Sequence, residues 1–356
     1  MGKNKKISLC LITKNEEDNL ARCLESVCDY VDEIIVVDTG STDKTLEIAQ
    51  DYEADVYKHI WKEDFSEARN ESVSRSKSEW ILYLDADEEL PQETAESLKE
   101  LGSENSVEAW TFNIISPVIN KKNSPASLHT NLRMFRNKAC YKFEGRVHEQ
   151  IKPSILENNC EDVIKHSDKD IKHYGYFRNA KNREKKSRRN LYLLKKELEE
   201  KPDDYFVNFN LGTSYYNLKK YKKAGIYYQK ALDNSNINKK ITGDIYRNYS
   251  VCLLDMGEYL KANKLLDKAL LKFNDYPDLY YLKGQIAYEL YNFNEAEKFF
   301  LRCLQFPNVS SDYTMTKGVN SVLALESLSE VYRSKGELEK SVDYLNRALK
   351  EGCDYQ

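Results

Sequence analysis

Three short clusters carry the side chains whose types and spacing could do chemistry: Thr13-Lys14-Asn15-Glu16-Glu17, Asp38-Thr39-Gly40-Ser41-Thr42-Asp43 and Asp85-Ala86-Asp87-Glu88. Each follows a short apolar run rich in β-branched residues, so each stands where a strand ends. In a parallel α/β sheet, polar ligands bind at the carboxyl ends of the strands, which gives hydroxyls and carboxylates there a binding role they would lack elsewhere. Asp85 and Asp87, at i and i+2, fall on the same side of an extended chain. Taken singly, the clusters have another reading: Ser41 or Thr42 ahead of Leu46-Glu47 caps a helix, and Gly40 is a turn residue. Further along, Gly145-Arg146-Val147-His148-Glu149 sets an acid beside a histidine, a residue whose ordinary pKa suits proton abstraction near neutrality.

The elements that must position these clusters follow from periodicity. From Ile7 to about His173, short apolar runs alternate with amphipathic segments, the pattern of βαβ units and a mainly parallel sheet. It predicts strands over Ile7–Thr13, Glu33–Asp38, Ala54–Tyr57, Trp80–Asp85 and Ala109–Ile115, and helices over Asn19–Ser26, Thr42–Ala49, Ser66–Ser74 and Glu93–Glu100. Beyond about Asn182 the strand signal stops and a repeat begins. Leu211-Gly212, Tyr215, Ala224, Tyr228 and Ala231 stand at the offsets of a tetratricopeptide repeat. The pattern returns in Ala262, Leu266 and Ala269, in Gly284, Ala296, Phe300 and Cys303, and in Tyr332, Ser341, Leu345 and Ala348. Successive alanine or serine anchors are 38, 34 and 45 residues apart, and a period of about 34 implies insertions in two of the intervals. Small anchors let the two helices of a repeat approach, while Tyr, Leu and Phe fill the gap to the next repeat. The expected architecture is an α/β domain over residues 1–180 and an all-α repeat array over 181–356.

Composition narrows the function classes. A net charge of −4 over 356 residues gives no general field toward nucleic acid or an anionic membrane. The eight cysteines form no CxxC pair, and they read as reduced thiols rather than a disulfide framework or metal finger. The start, MGKNKKISLCLITKNEE, has an apolar run too short for a signal peptide, and no segment approaches the roughly 20 apolar residues of a bilayer span. The expected compartment is the cytoplasm, with no nucleic-acid partner and no transmembrane segment.

Taken together, LITKNEEDNLARCLESV, DEIIVVDTGSTDKT, WKEDFSEARN, EWILYLDADEEL, RMFRN, EGRVHEQI and the later HYGY resemble, in that order, the family 2 glycosyltransferases of GT-A fold, over about residues 6–190. The resemblance implies a nucleotide-sugar-binding, Rossmann-like domain whose metal is Mn²⁺ or Mg²⁺ and whose donor is a UDP-sugar. A divalent cation held by carboxylates offsets the charge gathering on a departing diphosphate. Asp85 and Asp87 resemble the DXD metal pair, with Asp87 the direct ligand, Asp85 and Ala86 nearer the ribose, and His173 the C-terminal metal histidine. Asp38 would accept from the base, Thr13, Asn15 and Glu16 would line the same pocket, and Arg69 would neutralise the diphosphate. Glu149 stands where the broader family carries its catalytic acid and is the expected general base for an inverting transfer, with His148 as competitor. The basic run Lys181, Arg183, Lys185, Lys186, Arg188 and Arg189 either helps hold phosphate or forms a solvated helix face.

A family 2 domain followed by tetratricopeptide repeats looks like the sublancin-type peptide S-glycosyltransferases, which implies a polypeptide acceptor. It is also similar to transferases of cell-surface polysaccharide, which implies a glycan or lipid-linked acceptor. A third reading is a non-catalytic repeat scaffold with an inert transferase domain. Repeat arrays also mediate homodimerisation, the further partner implied by the resemblance.

Overall fold

The computed structural model describes residues 6–116, 127–175, 180–235, 240–306 and 313–353. The chain divides into two compact units, Met1–Asn120 with Thr130–Ala180 and Lys121–His129 with Lys181–Gln356.

In the first unit, strands β1 (Ile7–Thr13), β2 (Glu33–Asp38), β3 (Asp55–Lys58) and β4 (Trp80–Asp85) alternate with helices α1 (Leu20–Glu25), α2 (Thr45–Asp51) and α3 (Phe65–Arg75). All four strands are parallel, and the register sets Thr13 beside Asp38 and Ile12 beside Asp85. The three polar clusters therefore leave the sheet at one edge. Then come β5 (Glu88–Glu89), α4 (Gln92–Leu101), β6 (Ala109–Ser116), β7 (Ser127–Arg136), α5 (Lys152–Leu156) and β8 (Ile164–His173). The order across the sheet is β3-β2-β1-β4-β7-β6-β8-β5, with β7 antiparallel to β4 and β5 antiparallel to β8.

The sheet is thus mixed rather than mainly parallel. Strands β7 and β8 have no counterpart among the expected strands because SLHTNLRMFR and IKHSDKDIKH lack clean apolar alternation. The pairing of Glu88 with His173 at the sheet edge carries the histidine to the acidic cluster.

Alternation along each central strand builds two cores. Ile7, Leu9 and Leu11 of β1 and Trp80, Leu82 and Leu84 of β4 pack on one face, whereas Cys10, Ile81 and Tyr83 pack on the other. Burying both faces removes the polar alternation of a half-exposed strand, which is why ISLCLIT and WILYLD read as continuous apolar runs. Trp80 is fully buried, and its indole N–H donates to the Gly102 carbonyl at 2.8 Å.

The second unit opens with α6 (Ala180–Glu200) and continues as helix pairs: α7 (Tyr205–Asn217) with α8 (Tyr221–Asn234), α9 (Lys240–Asp255) with α10 (Tyr259–Leu270), and α11 (Pro277–Glu289) with α12 (Phe293–Cys303). A short strand β9 (Met315–Thr316), paired with Ser127 and Leu128 of β7, precedes the last pair, α13 (Val322–Ser334) and α14 (Leu338–Cys353). Small residues set the spacing within pairs. A Cβ on Gly212 would meet the Tyr228 ring at 2.5 Å, and one on Gly284 would meet the Phe300 ring at 2.5 Å. The turn inside each pair passes through one left-handed residue, at Lys219, Gly257, Tyr291 and Gly336.

Ala224, Tyr228, Ala231, Ala262, Leu266, Ala269, Ala296, Phe300 and Cys303 are all buried. Leu345, expected to fill a gap as Tyr228 and Phe300 do, is instead 46% exposed, on a face of α14 where no helix packs among the described residues. None of the described helices is long and apolar enough to cross a membrane.

Candidate functional site

The first two clusters are zipped to each other. The Asn15 side-chain oxygen accepts from the Thr42 amide (2.8 Å), the Asn15 amide donates to the Ser41 hydroxyl (2.9 Å), and the Glu16 amide donates to the Thr45 hydroxyl (2.8 Å). Asn15 sits at φ 55°, a left-handed conformation that asparagine tolerates better than most residues. Asp38 is 2% exposed, and its carboxylate accepts from the amides of Gly40 (2.9 Å) and Ser41 (3.0 Å) and from the Ser41 hydroxyl. Thr13 adds a hydroxyl at 3.5 Å, and its carbonyl accepts from the Thr39 amide (2.9 Å). Asp38 therefore uses most of its lone pairs to shape the loop after β2.

Helix α3 organises the opposite wall. Asp64 caps it, accepting from the Ser66 (2.8 Å) and Glu67 (3.3 Å) amides. From this fixed start, the Phe65 amide holds the Arg146 carbonyl (2.9 Å), and the Asn70 side chain clasps the Phe143 amide (2.8 Å) and carbonyl (2.9 Å). One turn thus pins the loop that carries His148 and Glu149. His148 is exposed at φ 59°, whereas the Glu149 carboxylate points inward to Arg69.

Arg69, 3% exposed, joins three groups: Glu149 (3.1 Å), the Leu84 carbonyl (3.1 Å) and Asp85. Arg133 forks onto Glu88 through two bonds of 2.8 and 3.1 Å and reaches Asp85 at 3.5 Å. The result is an alternating chain, Glu149, Arg69, Asp85, Arg133, Glu88, with both guanidiniums over the Tyr83 ring at 5.1 and 4.8 Å. Burial opposes the charge on each arginine, but the neighbouring carboxylates outweigh it and hold both guanidiniums more firmly protonated than usual. Three acids against two bases leave one negative charge in excess before Asp87 is counted.

Asp87 belongs to a different partner. β4 stops at Asp85 and the chain turns through Ala86 and Asp87, so the two aspartates take different partners. Ala86 is buried in the core beneath that turn. Asp87 stands 3.4 Å from Nε2 of His173, whose Nδ1 faces the Ser116 hydroxyl at 3.3 Å. Burial alone would lower the His173 pKa, but the Asp87 carboxylate prevails and raises it.

Space beside this pair depends on glycine: a Cβ on Gly175 would fall 2.6 Å from an Asp87 oxygen and 2.7 Å from His173 Nε2. An oxygen and a nitrogen donor packed against a glycine, with surplus negative charge nearby, fit a divalent cation. Among the described residues no three His, Cys, Asp or Glu side chains converge as a ligand set, so the remaining positions would fall to diphosphate oxygens and water. That division of ligands suits Mg²⁺ and similar hard cations.

Of the residues singled out in the sequence, the structure joins Arg69 with Asp85 and Glu149, joins Asp87 with His173, and groups Thr13, Asn15, Glu16 and Asp38 in the paired loops. The basic run belongs to α6 of the second unit, where Arg188 pairs with Glu184 at 2.7 Å. The side chains of Lys181 and Arg183, and Tyr176, lie outside the described residues. Sequence reasoning missed the roles of Arg133 and Glu88. Glu88 also accepts from the Asp85 amide at 2.9 Å and so shapes the acidic turn, and its place directly after the two aspartates was the available signal.

Residues 8–152 match Glycosyl transferase family 2, and residues 207–238, 253–309 and 324–351 match tetratricopeptide repeats. A TPR repeat-containing protein of Synechococcus elongatus is 35% identical over 211 residues, covering 58% of this chain and 51% of that protein. The SPbeta prophage-derived glycosyltransferase SunS of Bacillus subtilis is 30% identical over 279 residues, covering 77% of this chain and 60% of that protein. An uncharacterized glycosyltransferase of Rickettsia typhi is 32% identical over 165 residues, covering 45% and 56%. The chain thus spans between about half and three fifths of the length of these relatives.

Proposed function

We propose that this chain, whose residues 8–152 match Glycosyl transferase family 2 and whose later residues match tetratricopeptide repeats, transfers a hexose from a UDP-sugar to a polypeptide side chain, with inversion at the anomeric carbon. The observation that carries this reading is the pairing of Asp87 with His173 over Gly175, one turn from the chain of Glu149, Asp85 and the buried Arg69.

Asp87 and His173 would hold Mn²⁺ or Mg²⁺. When bound, that cation stabilises the negative charge that collects on the leaving diphosphate. The paired loops bearing Thr13, Asn15, Glu16 and Asp38 would receive the nucleoside, with Asp38 setting the loop that does so. Arg69 has a positioning role, because its guanidinium is already engaged by Asp85 and Glu149 and fixes the distance between them. Glu149 would take the acceptor's proton as the nucleophile attacks opposite the leaving group. The repeats support a polypeptide acceptor, since stacked helix pairs form a concave surface suited to extended chains.

The test is slow hydrolysis of a panel of UDP- and GDP-hexoses by the full chain with Mn²⁺, before and after chelation. Turnover of a UDP-hexose that stops on chelation supports the reading, and metal-independent turnover removes the cation from it. Glu149→Gln should keep donor binding and lose about 10²- to 10⁴-fold in turnover. Full activity in that variant transfers the base role to His148 or another group.

A further inference from the structure

We propose that the repeat unit selects its polypeptide by charge, seating a lysine or arginine side chain between Asp255 and Glu289 with an apolar neighbour in the cavity beside them. This rests on the polypeptide-acceptor reading above and adds the chemistry by which the acceptor is chosen.

The first helices of three successive pairs, α9, α11 and α13, line a cavity of about 470 Å³. That is the size range in which protein cavities hold ligands, about 300–1,000 Å³. Val251, Leu254, Leu282 and Tyr288 supply apolar wall. Among the described residues the charged lining is entirely acidic: Asp255, Glu289 and Glu330, with no lysine, arginine or histidine. Glu330 is already committed to Arg333. Asp255 accepts a hydroxyl from Tyr216 at 2.6 Å and has no cationic partner among the described residues, and Glu289 has no hydrogen bond or ion pair there.

Asp255 and Glu289 occupy equivalent places, each two residues before the left-handed residue of its turn, Gly257 and Tyr291. Two successive pairs thus carry a carboxylate at one equivalent place in the cavity lining, neither with a cationic partner among the described residues. Acidic groups beside apolar and aromatic lining disfavour anionic lipid headgroups and nucleic acid, and favour a side chain with a long apolar stem and a cationic head. Lysine and arginine have that form, with the stem lying along Leu254 or Tyr288 and the head at the carboxylates. Because the carboxylates are exposed, the attraction is screened by salt.

The experiment measures anisotropy of fluorescein-labelled Ser-Leu-Lys-Tyr-Lys-Leu mixed with the full chain in the absence of donor. Versions with glutamate or norleucine replacing both lysines serve as controls, and spermidine as competitor. The lysine peptide should bind saturably, more tightly at low than at physiological salt. The norleucine peptide and the double variant D255N/E289Q should each show binding about tenfold weaker, and the glutamate peptide should not bind.

Equal binding of all three peptides, unchanged binding by the double variant, no binding of the lysine peptide, or full displacement by spermidine at equimolar concentration would overturn the proposal. The double variant should hydrolyse a UDP-hexose at the wild-type rate. Wild-type protein that binds the lysine peptide but hydrolyses no donor would refute the transferase reading while leaving the charge-selective surface in place.

Discussion

The two units reach order by different means. In the repeat unit, small residues beneath rings, Gly212 under Tyr228 and Gly284 under Phe300, set the spacing within helix pairs, and ion pairs such as Arg247 with Asp278 at 2.8 Å join one pair to the next. In the first unit, the decisive contacts are ionic and long-range: Arg69 meets Glu149 across 80 residues, and Arg133 meets Glu88 across 45. A steric fit between neighbouring helices tolerates change wherever a void exists. A buried charge network does not, because each group is tolerated only while its partner is present.

The largest effect should follow from breaking that network. Arg133→Met leaves Glu88, 1% exposed, without its counter-ion and should lower stability by about 3–5 kcal/mol in urea unfolding. A loss below about 1 kcal/mol would mean that the chain Glu149, Arg69, Asp85, Arg133, Glu88 is not a unit.

Steric positions in the repeats should respond less, and in either direction according to the space available. Gly284→Ala should destabilise by about 1–3 kcal/mol, since the Phe300 ring it would strike is itself buried and the overlap outweighs the gain in helix propensity. Gly225→Ala should stabilise by up to about 1 kcal/mol, because its Cβ meets only the Tyr249 ring at an ordinary 3.5 Å. Effects of the same sign would show that helix propensity, not fit, governs both.

Smaller still is the turn effect. Tyr291 holds at φ 59° the place that glycine takes in two of the four equivalent turns, and it is 83% exposed, so Tyr291→Gly should raise stability by about 0.5–1 kcal/mol. Calorimetric midpoints would register the rise, and a fall would reveal a contact of the tyrosine ring that outweighs the backbone strain.

The same contrast explains what could be read from the amino acids. Repeat anchors such as Ala262, Leu266 and Ala269 recur at fixed spacing on the buried face of one helix, so spacing alone exposes them. Strands β1, β2 and β4 are buried on both faces, and their unbroken apolar runs are equally plain. The acidic turn was visible as a cluster, but its partition was not. Asp85 goes to two arginines and Asp87 to His173 because β4 ends between them and β5 pairs with β8, and neither event has a local signature. Strands β7 and β8, which bring Arg133 and His173, carry too many polar residues to announce themselves.

Asp87 and His173, packed against Gly175, would form the cation-binding corner of a donor site. Thermal unfolding with Mn²⁺ and uridine diphosphate tests it most directly, on the wild type, Asp87→Ala and Gly175→Ala. At ligand a hundredfold above Kd, the wild type should gain about 2.7 kcal/mol and several degrees in Tm. Both variants should keep their unliganded Tm to within a few degrees and lose that gain. An equal gain in all three proteins would contradict the account.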